Sequence, residues 1–65
     1  MKESYTIADE LFVATSVATK ILDVTDLTLR RWVEAKRMPD PIRISGRNYY
    51  NRRLIDEYLA RLVTT

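Results

Sequence analysis

No cysteine and no histidine occur in this chain of 65 residues. That excludes a disulfide framework and removes the usual ligands of a structural zinc site. Glycine occurs once, at Gly46, and proline twice, at Pro39 and Pro41, so turn signals are few and each one is informative. No apolar run approaches the roughly 20 residues of a membrane span, and the N-terminus does not have the basic-then-apolar order of a signal peptide. A soluble cytoplasmic protein with no membrane partner is therefore expected. A chain this short buries only about 60% of its unfolded surface, which leaves room for one small core and no separate sensor or catalytic domain. A catalytic role is not expected. The carboxylates outside the N-terminal segment are scattered, no His or Cys is present as base or nucleophile, and no glycine-rich phosphate loop occurs. No cofactor and no metal are expected either.

What is present is basic charge in one stretch. Residues 1–24 hold two lysines against four carboxylates, a net of −2. Residues 25–53 hold eight cations against three carboxylates, a net of +5, and seven of the eight are arginine. Arginine's planar fork suits bidentate contact with phosphate and guanine, so the bias favours a nucleic-acid surface over general solubility.

Along the chain, residues 1–10 are polar apart from Tyr5 and Ile7 and read as a loose arm or a short extra element, ahead of a single domain over 11–65. After the apolar segment Leu11-Phe12-Val13, Thr15 is a candidate cap for a helix over about 16–22, whose stripe is Val17, Ala18, Ile21 and Leu22. Asp23-Val24-Thr25 is the corner, since Asp tolerates a left-handed conformation. Thr25 then caps a second helix with Leu29, Trp32 and Val33 inward and Leu27, Arg30, Arg31 and Glu34 outward, Thr28 at the border. Pro39 and Pro41 end that helix. Ile42-Arg43-Ile44 and Asn48-Tyr49-Tyr50 alternate around Ser45-Gly46-Arg47 as a hairpin, with one tyrosine expected in the core, and Asn51 caps a third helix carrying Ile55, Tyr58, Leu59 and Leu62.

With the parts in this order, the chain resembles the MerR-like winged helix-turn-helix proteins, in particular the small AlpA-type regulators and the excisionases (recombination directionality factors) of phages and mobile elements. The resemblance rests on Leu22-Asp23-Val24-Thr25, Thr28-Leu29-Arg30-Arg31-Trp32, Met38-Pro39-Asp40-Pro41-Ile42-Arg43-Ile44, Ser45-Gly46-Arg47, and Tyr50 with Asn51-Arg52-Arg53 leading into Ile55-Asp56-Glu57-Tyr58-Leu59. Asp23 and Lys36 stand where the family usually has Gly, Val17 replaces a frequent Glu, and Asn48 and Asn51 replace positions that are often basic.

The fold class implied is α+β and mostly helical, a compact winged helix-turn-helix of three helices plus a small β-hairpin wing. Family members lay the second helix in the major groove and the wing along the backbone or minor groove. Tyr50 becomes the core tyrosine and Tyr49 a phosphate contact. The DNA-contacting set this implies is Thr25, Leu27, Thr28, Arg30, Arg31, Arg43, Arg47, Asn48, Tyr49, Arg52 and Arg53. Arg31 is the main base-edge candidate, Leu27 would meet a thymine methyl, and Thr28 and Arg30 would bind phosphate. Arg52 and Arg53 oppose the dipole of the third helix, which points to an anionic partner.

The function implied is sequence-specific binding of double-stranded DNA, as an excisionase that bends DNA for a site-specific recombinase (integrase), with cooperative self-association on DNA. A small transcriptional regulator of a mobile element would use the same surface. A protein-interaction adaptor, holding an acidic partner with the basic face and the segment Tyr5 to Val13, is the reading from a different class.

Overall fold

Ser4-Tyr5-Thr6-Ile7 alternates polar and apolar residues, Glu10-Leu11-Phe12-Val13-Ala14 is a short apolar run, and the two segments pair. A computed structural model describes residues 3–64 as β1 (Ser4–Ile7), β2 (Glu10–Ala14), α1 (Thr15–Leu22), α2 (Asp26–Glu34), β3 (Ile42–Ile44), β4 (Arg47–Asn51) and α3 (Arg52–Thr64). Met1 and Lys2, which begin the expected arm, and Thr65 lie outside the described residues.

The four strands form one antiparallel sheet in the order β1-β2-β4-β3. This corrects the expected architecture of three helices with a small hairpin wing. The β3–β4 hairpin is half of a sheet whose other half comes from the N-terminal residues. The reason lies in Tyr5: it sits opposite Phe12 in the β1–β2 register, and its ring meets Tyr49 edge-on with centroids 4.9 Å apart. An aromatic residue with two apolar neighbours on one sheet face gains more from pairing than from a free arm. Ala8 and Asp9, both at positive φ (50° and 67°), make the connecting turn.

Register assigns the two sheet faces. Val13 opposes Tyr50, and both join Ala18, Leu22, Leu29, Met38, Ile55 and Tyr58 in the core between sheet and helices. Ala14 opposes Tyr49 on the other face, where Ile42 also opposes Tyr49. Tyr49 and Tyr50 are therefore both buried, on opposite sides of β4.

The helix ends follow backbone rules that the sequence announces in part. Thr25 caps α2, its Oγ1 accepting from the Thr28 N–H at 3.2 Å, and Asn51 Oδ1 accepts from the Leu54 N–H at 3.1 Å at the start of α3. Asp23 closes α1 in the left-handed region (φ 57°), with its N–H bonded to Lys20 O and the Val24 N–H bonded to Thr19 O. The end of α2 repeats the same motif: Lys36 takes φ 62°, its N–H bonds Val33 O, and the Arg37 N–H bonds Trp32 O. Lys36 thus takes the left-handed position a glycine would usually fill and stops the helix several residues ahead of Pro39 and Pro41, which were expected to end it. At α1 the cap expectation is corrected. The N-cap is Ala14, which offers no side-chain acceptor, and the Thr15 hydroxyl instead donates to the Asn48 carbonyl at 3.4 Å, tying α1 to β4.

No helix among the described residues is long and apolar enough to cross a membrane.

Candidate functional site

Three pieces of backbone converge beside the β3–β4 turn. Ser45 (φ 50°) and Gly46 (φ 80°) form a two-residue turn whose left-handed pair matches the twist of the flanking strands. The turn projects Arg43, Arg47 and Asn48, all exposed. The Thr15–Asn48 hydrogen bond brings the first turn of α1 alongside, and the corner at Asp23 returns the chain so that α2 begins there too. The result is an open groove of about 470 Å³ lined by Thr15, Ser16, Asp26, Arg43, Arg47 and Asn48.

Its electrostatics come from several sources. The start of α1 has no side-chain cap, and Ala14, Thr15 and Ser16 line the groove, so the positive end of the helix dipole lies beside it. Arg43 and Arg47 face it, and neither forms an ion pair among the described residues. Burial raises the Tyr50 hydroxyl above its ordinary pKa of 10.0, a hydrogen bond with Thr15 lowers it, and the charges of Asp26 and Arg30 act in opposite directions. Asp26 is the one carboxylate lining this groove, and it stands at the N-terminus of α2 where the dipole favours it.

The chain matches no family model, no curated protein and no solved structure.

The sequence-predicted residues divide into three groups. Arg43, Arg47 and Asn48 line the groove, and Arg30, exposed on α2, is near enough for its charge to act on Tyr50. Leu27, half exposed, and Arg31, exposed, stand on the outer face of α2, and Thr25 and Thr28 are engaged with each other at its start, hydroxyl to hydroxyl at 3.1 Å.

Tyr49, Arg52 and Arg53 do not join them. Tyr49 is only 2% exposed, on the sheet face away from the helices, so it cannot reach a phosphate. Its hydroxyl is raised above 10.0 by burial first and then by Tyr5, to which it is hydrogen-bonded. The anionic partners inferred for Arg52 and Arg53 are internal. Arg52 Nε donates to Asp56 at 3.1 Å, and Arg53 pairs with Glu10, which also accepts from Asn51. Both arginines lie at the far end of β4, about 17 Å of extended chain from Arg47.

Ser16 at the groove was missed, because the neighbouring Thr15 was read as the cap of α1. The signal was Ala14 itself: alanine is a poor N-cap, so a helix starting after it leaves its first N–H groups without side-chain acceptors.

Proposed function

We propose that the chain is a sequence-specific double-stranded DNA-binding protein, acting as an excisionase that bends DNA for a site-specific recombinase. The observation that carries this reading is the placement of Arg43 and Arg47 at the groove beside the uncapped start of α1, without ion pairs for these arginines among the described residues. Cations without ion pairs, next to a helix start that has no side-chain cap, suit a run of phosphates. The outer face of α2 supplies what phosphate contacts lack, namely sequence information. Arg31 reads a base edge, Leu27 meets a thymine methyl, and Thr28 lies at the border. A single small module of this kind buries about 600–1,000 Å² on DNA, so one copy binds modestly and gains from cooperation or from bending its site.

The likeness of the α1–α2 corner, the Pro39-Asp40-Pro41 segment and the Ser45-Gly46 turn to AlpA-type regulators and excisionases supports the same reading. A transcriptional regulator of a mobile element would use these residues in the same way; a gel-based bending assay separates the two, since the excisionase reading requires bent complexes.

The test of the surface is a pair of variants measured by fluorescence anisotropy. Arg47→Ala, on a phosphate contact, weakens specific and scrambled duplexes alike and lowers the salt slope by about 1. Arg31→Ala, on a base contact, costs about 1–3 kcal/mol on the specific duplex and little on the scrambled one. Unchanged affinity in both variants refutes the proposal.

A further inference from the structure

The sheet has two edges, β1 and β3. At β1 the Ala14 N–H donates to the Glu3 carbonyl at 2.7 Å, which makes Glu3 and Ala14 a hydrogen-bonded pair. Such pairs alternate along an antiparallel ladder, so Tyr5–Phe12 and Ile7–Glu10 are hydrogen-bonded and Ser4–Val13 and Thr6–Leu11 are not. Ser4 and Thr6 therefore turn their N–H and C=O groups away from β2, toward a side where no strand lies among the described residues. Both residues are exposed.

The β3 edge differs. Ile44 and Arg47 close a two-residue turn as a hydrogen-bonded pair, so Arg43 is the residue of this three-residue strand whose backbone turns outward. Its side chain is charged, and Pro41, next in the outward alternation, has no N–H to give. Charge and proline are common protections of an edge strand. β1 has neither: Ser4-Tyr5-Thr6-Ile7 pairs with β2 without a bulge, carries no charge and no proline, and leaves Ile7 44% exposed. An uncharged edge with unmet donors and acceptors is a template for another strand.

We propose that this edge pairs with the same edge of a second copy of the chain, antiparallel about a two-fold axis at Tyr5, doubling the four-stranded sheet. The phase of the ladder selects the register. With Tyr5 opposite Tyr5 of the second copy, Ser4 lies opposite the second copy's Thr6 and Thr6 opposite its Ser4. All the outward N–H and C=O groups of these residues are then bonded, four hydrogen bonds in all. A shift that keeps the phase would set Ser4 against Ala8, which lies in the turn at φ 50°. The same axis brings the two Tyr5 rings together on the face that carries Tyr49, with Ile7 diagonal to the second copy's Tyr5. A copy of β3 fits less well, since it offers the outward groups of one residue and meets the charge of Arg43. The β1–β1 contact is isologous and closed, so assembly stops at the dimer. β1 and β3 stand three strand spacings apart, about 14 Å, so pairing leaves the groove at the β3–β4 turn open and the inference is independent of DNA binding.

The test is sedimentation velocity of the full chain, without DNA, from about 10 µM to about 1 mM, the range in which so short a seam associates. Amide exchange is followed by NMR at both ends of that range. The expected result is a reversible rise from the monomer mass of 7.6 kDa toward twice that value. Exchange of the Ser4 and Thr6 amides slows at high concentration, while Tyr5 and Ile7 are protected by β2 throughout. Thr6→Pro removes an outward N–H and none that β2 uses, so it weakens the dimer by about tenfold or more and leaves the fold intact. Should that variant fail to fold by circular dichroism, Thr6→Lys, which puts a charge on the same edge, weakens the dimer in its place. A chain that stays monomeric throughout, or a folded variant that dimerises as well as the parent, overturns the proposal. So does a dimer in which Ser4 and Thr6 exchange as fast as in the monomer, which places the contact on another face, or a mass that grows past the dimer, which makes the assembly open.

Discussion

Individual residues here carry conformations that a glycine would usually take. Ala8, Asp9, Asp23, Lys36 and Ser45 all have positive φ, and only Gly46 among such positions is glycine. A side chain in the left-handed region costs about 1–2 kcal/mol, so Lys36→Gly is expected to stabilise the fold by about 1 kcal/mol in a urea titration, since the exposed Lys36–Asp40 pair it removes contributes little. An unchanged or lower midpoint would show that Lys36 is held by something more than its backbone. The tyrosines give a pH prediction. Burial raises both Tyr49 and Tyr50 above 10.0, so above that pH the unfolded chain loses protons that the folded chain keeps. The tyrosines' contribution to stability is therefore constant below about pH 10 and is lost beyond it, and Tyr49→Phe makes the alkaline fall shallower in thermal melts run up to about pH 11. At this scale the sequence was readable at most positions where one residue does one local job, the start of α1, capped by Ala14 and not Thr15, being the exception. The Thr25 and Asn51 caps and the left-handed Asp23 were all legible, because capping and corner chemistry involve neighbours three or four positions apart. Tyr49 was not: alternation puts it opposite Tyr50 on the strand, but what covers it is Tyr5, 44 positions away.

Among the elements, β1 and β2 show where sequence reading stops. Their strands are four and five residues long, and the turn between them is Ala8-Asp9 rather than the Asn-Gly or Asp-Gly pair that marks a two-residue hairpin. Nothing local says that they pair, and the sheet exists because β2 also pairs with β4. The β3–β4 hairpin was legible because Ser45-Gly46 does carry the turn signal. Two consequences can be measured. Replacing Ala8-Asp9 by Asn-Gly is expected to raise stability by about 1 kcal/mol, by relieving two left-handed side chains. Tyr5→Ala removes the ring that covers Tyr49 and is expected to destabilise by about 2–4 kcal/mol, a large loss for so small a domain. A loss near zero would mean that the N-terminal strand contributes nothing to the fold. Removing residues 1–10 thus tests the sheet before it tests any adaptor role for that segment.

Over the whole molecule, charge is sorted by use. The N-terminal hairpin keeps Glu10 for Arg53 and Asn51, and α3 keeps Asp56 for Arg52, so two of the basic residues are consumed inside the fold. Arg30, Arg31, Arg43 and Arg47 remain without ion pairs among the described residues, on α2 and the β3–β4 turn. Counting charge along the sequence located the basic stretch but could not separate these two groups, because the acids that neutralise Arg52 and Arg53 come from opposite directions along the chain. The measurement that bears most directly on the DNA-binding proposal is fluorescence anisotropy of a labelled duplex from the DNA neighbouring this gene, against a scrambled duplex, across a salt series. The proposal predicts tighter binding to the first, with affinity falling as salt rises, by a log–log slope of about −3 if Arg30, Arg43 and Arg47 meet phosphates while Arg31 reads a base. Equal, weak binding to both duplexes would contradict it.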